Sequence, residues 1–374
     1  MVDVLDQLGA LREGKMSRRA FNRSLFSVGL TAVAMPLAPR RAMAAADDHA
    51  TYFTWGGFDI PDYFEEYEEK YGEIPNFVTF GSAEEALQKL TSGFIPDLAH
   101  PCLSDVPRWA NTGLFQPIDT TRLSNWNDVI PALYDVDYNM QDGKPWLAPF
   151  EWGQTSVAYR TDLFELEGEE SWNMLWDPRY AGRLASLAGG GDVWWCAAIK
   201  AGVPFEEIHT EAAFEKISAV LREQRPLIRM YTDDTTSSDT ALAAGEIVAT
   251  MAWNSSVVAL QAEEVPVKFA QPKEGALTWV CGIMLHKDAP KLDSAYDVLD
   301  SLLSKSSAFF NMDSYGYGGA NRLAYDEFTD EELEVLGLGR DPAKIINGGH
   351  FGIPQSAEWD QRMTQTWEQI KLGF

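Results

Sequence analysis

Ala50-Thr51-Tyr52-Phe53-Thr54-Trp55 is the stretch from which the fold can be read: short, apolar, β-prone, and stopped by Gly56-Gly57. A helical pattern follows from Pro61 to Tyr71, with proline suited to the first turn and Gly72 to the stop. Asn76–Phe80 then reads as a strand, Ala83–Thr91 as a helix, and Pro96-Asp97-Leu98-Ala99 as another short strand. That β-α-β-α-β order predicts a mainly parallel sheet covered by helices on both faces.

A second α/β rhythm runs through the middle of the chain. It takes in the strand-like Gln154–Tyr159, the helix-like Val193–Ala201, a helix at Thr210–Glu223 and a strand at Ile247–Trp253. Strand signals return at Thr278–Leu285, followed by helices at Lys291–Ser304 and Ser356–Leu372. No repeat and no long linker separates the two rhythms. Two α/β lobes are therefore expected, joined by short crossovers near Trp152–Ser156 and Gly275–Thr278, with a small-molecule cleft between them.

Composition narrows the function. The chain has 374 residues, 45% of them hydrophobic, and 30 basic against 56 acidic side chains, a net charge of −26. Nucleic-acid binding is excluded, because polyphosphate is repelled by such a surface. Three cysteines make neither a disulfide scaffold nor a CxxC zinc site. No apolar run is long enough to span a membrane. Tryptophan is plentiful, at 13.

The first 46 residues differ in sign. They hold seven basic and three acidic side chains, leaving 23 basic against 53 acidic groups, a net −30, in the remainder. Ser17-Arg18-Arg19-Ala20-Phe21 precedes a weakly apolar run from Leu25 to Leu37, and Ala42-Met43-Ala44 offers a small-x-small cleavage pattern. This resembles a twin-arginine export signal spanning 1–44, and places the protein in a bacterial periplasm by way of the twin-arginine export machinery. The alternative is a basic amphipathic helix that stays attached.

Enzyme signatures are absent: no GxSxG elbow, HExxH, P-loop or GxGxxG follows a strand. Five histidines are scattered without metal-ligand spacing. A Cys281–His286 pair is disfavoured, because an odd offset along a strand sends the two side chains to opposite faces. Gly189-Gly190-Gly191-Asp192 has three readings: an anion-binding nest, a loop in which Asp192 caps the next helix, or a carboxylate offered to a cationic ligand. In so acidic a protein the anion nest is the weakest.

The order of short motifs then carries a resemblance. Tyr52-Phe53-Thr54-Trp55, Gly81–Leu87 before a helix, Pro96-Asp97-Leu98, Trp146–Gly153 (WLAPFEWG), Ser171–Gly182 (SWNMLWDPRYAG), Met251–Ser255, Pro272–Gly275 with Trp279, and Gly316-Tyr317 with Asn321 together resemble the periplasmic spermidine/putrescine-binding proteins. The match is colinear from about residue 50 to 325. It implies the α/β type II periplasmic-binding-protein fold, two-lobed with an interlobe cleft. The first lobe is then 45–153 plus 279–325, and the second 154–278 plus 326–374. The C-terminal helix would brace the second lobe with Trp359, Met363, Trp367 and Ile370 inward.

The resemblance also implies a monomeric receptor, without cofactor or metal. It would capture a small amine-containing ligand and deliver it to an inner-membrane ABC permease. Trp55, Trp253 and Trp279 match the family's aromatic box, Asp192 its ammonium-binding acid, and Tyr317 a tyrosine that bonds a ligand nitrogen. Aromatic faces hold cations through the ring quadrupole, and a buried carboxylate fixes the ammonium. Cys102 and Ser104 stand where the family has a serine and a tyrosine, and Cys281 where it has a further acid. Only Asp192 remains of the ammonium-binding acids, so the pocket is expected to serve one cationic centre. The ligand is thus a polyamine or related amine, with a mono-cationic or zwitterionic solute as the alternative and a periplasmic enzyme as a remote one. A Cys102–Cys281 disulfide stays open, because sequence does not give the separation of the two Cα atoms.

Overall fold

The computed structural model describes residues 48–232 and 235–374. The export segment read at 1–44 lies outside them.

The first strands form where expected. β1 (Thr51–Trp55) pairs in parallel with β2 (Asn76–Phe80) and with β3 (Leu98–Ala99). The helix at Ala83–Thr91 starts on Ser82, whose hydroxyl accepts from the Glu85 amide, satisfying one of the free donors of a helix start. The helix expected over Pro61–Tyr71 is broken in two. A 3-10 turn, Pro61–Tyr63, gives way at Phe64 to the α-helix Glu65–Tyr71. Tyr63 and Phe64 are both fully buried, and the break lets two adjacent rings enter the same core. Gly72 closes the helix at a φ of 79°, the left-handed cap that its lack of a side chain permits.

The remaining strands of the main ladder are β4 (Leu147–Arg160), β5 (Leu184–Leu187), β6 (Ile228–Thr232), β7 (Ala249–Trp253) and β8 (Leu277–His286). They join the first three in one sheet ordered β2-β1-β3-β8-β4-β7-β5-β6. Its two ends are parallel, as expected, but its centre is not: β8 runs antiparallel to β3 and β4, and β4 antiparallel to β7. The reason lies in β4 and β8, which are long enough to serve two cores. β4 pairs with β8 from Leu147 to Thr155 and with β7 from Thr155 to Tyr159. The expected crossovers are thus continuous strands that pass each other in opposite directions.

One apolar core gathers residues of 50–152 and 280–346. A second gathers residues of 157–277 with Met363, Trp367 and Ile370, and a smaller third packs Leu242, Ala252 and Leu260 beside it. The C-terminal helix, Ala357–Leu372, presents its apolar stripe to the second core as expected, and Trp359 packs at its edge. Phe328, Leu333, Leu336 and Ile346 belong to the first core.

Candidate functional site

Asp192 lies in the first turn of the helix Gly190–Ala201, beside the end of β7. The N-cap of that helix is Gly189, with no side-chain cap, so the capping reading of Asp192 is corrected. Its carboxylate is held from the sheet instead. Oδ2 accepts from the Thr155 hydroxyl at 2.6 Å and from the Trp253 indole N–H at 3.0 Å. Both donors are neutral, so they orient the carboxylate without cancelling its charge, and Oδ1 takes part in neither bond.

A small cavity of about 60 Å³ opens at this carboxylate. Cys102, Ser104, Asp192 and Trp279 line it, together with Tyr138, Trp195 and Phe351. Four of the sequence-predicted residues therefore meet in one place, and Trp253 joins through its bond to Asp192. Tyr317 joins through Trp279, edge to face with ring centroids 4.9 Å apart, and its hydroxyl is 3.0 Å from that of Ser255. Burial raises the Tyr317 phenol well above its ordinary range, with Glu151 and Asp192 both adding negative potential. A larger depression of about 320 Å³ near Pro107 and Trp146 is lined without any acid or base, and shares only Tyr138 with the first.

Trp55 does not join the group directly. Its ring packs on Phe80 at 4.6 Å in the first core, at the end of β1. The link runs through the turn that follows, where Gly57 accepts from the Tyr315 hydroxyl at 2.6 Å and Tyr315 stacks on Tyr317. Gly57 has a φ of 98°, a conformation that admits glycine readily.

Cys102 and Cys281 form a disulfide, leaving Cys196 buried and free. The question left open by the sequence closes in this way, and it removes any thiol from the Cys281–His286 pair. The two half-cystines also face one another as an isolated antiparallel bridge, so the bond ties the loop after β3 to β8.

Several residues in or near the site escaped sequence reasoning. Thr155 and Ser255 are hydroxyls with nothing in the local pattern to mark them. Glu151 did carry a signal, as the one charged residue in Leu147-Ala148-Pro149-Phe150-Glu151-Trp152, and charged residues are seldom fully buried. It is 3% exposed, and burial pushes its carboxyl up to about 8. Oε1 lies 3.8 Å from His100 Nε2, too far for a hydrogen bond, and Oε2 has no partner among the described residues. His100 is itself pushed down to about 3 by burial, so it is a neutral neighbour.

A family model described as bacterial extracellular solute-binding protein matches residues 62–334. The chain belongs to that family. It is 26% identical over 375 residues to the putrescine-binding periplasmic protein PotF of Escherichia coli, covering 95% of this chain and 99% of that one. It is 25% identical over 355 residues to a putrescine/agmatine-binding protein of Pseudomonas aeruginosa, covering 88% and 93%. Among solved structures, the spermidine/putrescine ABC transporter substrate-binding protein PotD of Streptococcus pneumoniae superposes with a TM-score of 0.73 at 18% identity, over 87% of this chain and 99% of that one. That likeness establishes the two-lobed α/β fold. Among the described residues no helix is long and apolar enough to cross a membrane.

Proposed function

We propose that this solute-binding protein is the exported receptor of an ABC transporter, and that it captures a polyamine or related short amine beside Asp192. The observation that carries the reading is the Asp192 carboxylate itself. It is oriented by two neutral donors, set at a cavity walled by Trp195 and Trp279, and paired with no Lys or Arg among the described residues. A cation is the partner that such a charge lacks. Relatives named for binding putrescine, agmatine and spermidine support the same class of ligand.

Residues 45–153 with 279–325 form one lobe in this reading, and 154–278 the other. The segment 326–374 is divided between them, with Phe328–Ile346 on the first core and Met363–Ile370 on the second. The cavity is too small for a diamine to enter as it stands, so capture begins with the lobes apart. Closure follows because a ligand bonded to both sides stabilises only the closed form. The protein releases its cargo to an inner-membrane permease unchanged, acts as a monomer in the periplasm, and arrives there by the twin-arginine signal at 1–44.

A thermal-shift screen over diamines, triamines, quaternary amines and ω-amino acids tests this. A true ligand at about a hundred times its dissociation constant stabilises the fold by about 2.7 kcal/mol. A shift with amines and no turnover is the expected result. A shift only with zwitterions or quaternary amines replaces the ligand class, and turnover of the bound compound overturns the receptor.

A further inference from the structure

Glu151 sits within the ladder that carries the site. It is in register with Cys281 on one side and with Gly319 on the other. Its titratable neighbours among the described residues are neutral: His100, with its Nδ1 2.8 Å from the Tyr52 hydroxyl, and the phenols of Tyr52, Tyr63, Tyr315 and Tyr317, all raised by burial and by the potential of Glu151. Among the described residues no cation offsets this carboxyl, and its Oε2 is unpartnered in a nearly water-free setting. An amide or an apolar side chain would fill the same space at lower cost.

The strand relates this acid to the other one. Along β4 the ladder is regular from Glu151 to Thr155, so residues 151, 153 and 155 share a face. Thr155 carries Asp192 on its hydroxyl. Gly153, between them, is covered by the Trp279 ring, so closely that an added Cβ would lie 2.4 Å from it. The face therefore reads acid, ring, acid. Four residues of strand span about 13 Å. That span runs between the Cα atoms of Glu151 and Thr155, and it is of the order that a short aliphatic diamine covers with a hydrogen bond at each end.

We propose that Glu151 is a second cation acceptor of this cleft, so that the ligand is a short linear diamine with one nitrogen on Asp192, the other on Glu151, and its carbon chain over Trp279. The inference rests on the amine-receptor reading above. It adds a proton balance: near pH 7 the empty site holds Glu151 as the neutral acid, the incoming ammonium requires the carboxylate, and one proton leaves to the buffer for each diamine bound.

Calorimetry with 1,4-diaminobutane and 1-aminobutane, at pH 7 in two buffers of different ionisation enthalpy, tests it. The wild type should prefer the diamine by roughly 30-fold or more and release about one proton per diamine bound. Glu151→Gln should bind both amines alike and release none, whereas Asp192→Asn should weaken both. The inference is overturned if the wild type binds the diamine without proton release, a readout that needs no variant to fold. A diamine preference unchanged in Glu151→Gln overturns it as well, while leaving the amine receptor standing. Binding of neither amine by the wild type removes both readings together.

Discussion

Asp192→Asn separates charge from shape at the site. The amide oxygen of asparagine can still accept from Thr155 and Trp253, so the local frame persists. What changes is that two bonds to a charged acceptor become bonds to a neutral one, a loss of about 1 kcal/mol each in net terms. The favourable position of a negative charge in the first helical turn adds about 0.3–1 kcal/mol. The empty protein should therefore lose about 2–3 kcal/mol, read by urea or thermal unfolding. Ligand affinity should fall further, by about 2–5 kcal/mol, or roughly 30- to several-thousand-fold, because a desolvated ammonium loses its counter-charge. Titration calorimetry of the two proteins with the strongest amine from the screen gives both numbers. Affinity within about threefold of wild type, alongside the stability loss, would show that Asp192 serves the fold alone and that the cation has another partner.

Three further outcomes are expected. Cys102→Ser with Cys281→Ser removes a cross-link between residues 179 apart and should lower stability by about 2–5 kcal/mol, with intact mass after alkylation confirming the bond in the wild type. Glu151, with its folded pKa raised to about 8, takes up a proton on folding between about pH 4.5 and 8, so its contribution declines as pH rises through that window. His100, depressed to about 3, acts in the opposite sense but is spent above about pH 6.5, leaving a decline of about 2 kcal/mol between pH 6.5 and 8 that Glu151→Gln should abolish; an equal slope in the variant refutes the assignment. Arg18→Lys with Arg19→Lys should hold the precursor in the cytoplasm on fractionation, and undiminished export would point to another route.

Local order was legible wherever composition and capping agreed. Gly72, read as a helix stop, caps its helix in the structure, and the helices read at Ala83–Thr91 and Ser356–Leu372 begin on caps at Ser82 and Ser356. The antiparallel centre was not legible. β4 is buried along both faces, its polar Glu151, Gln154, Thr155 and Ser156 included, so its sequence shows no regular alternation that would fix direction or partner. At the site, Asp192, Trp253, Trp279 and Tyr317 came from positions read one after another along the chain. Glu151 is a neighbour of Cys281 across the ladder, and such adjacency has no signature in either segment alone. Trp55 shows the converse: its residue type and strand-end position suggested the cavity wall, yet its ring found Phe80 first.

β4 and β8 have a consequence for how this receptor can change over evolution. Glu151, Thr155 and Trp279 stand on the same two strands that run from one core to the other. In a protein with a loop for a hinge, ligand preference and ease of motion can drift apart, since separate residues govern each. With the lobes opening as proposed, a substitution here that reshapes the floor of the cleft also alters the stiffness of the strands that join them. Variants selected for a new solute should therefore arrive with altered opening and closing rates, and a homologue tuned for slow release should differ at the floor even where the solute is the same.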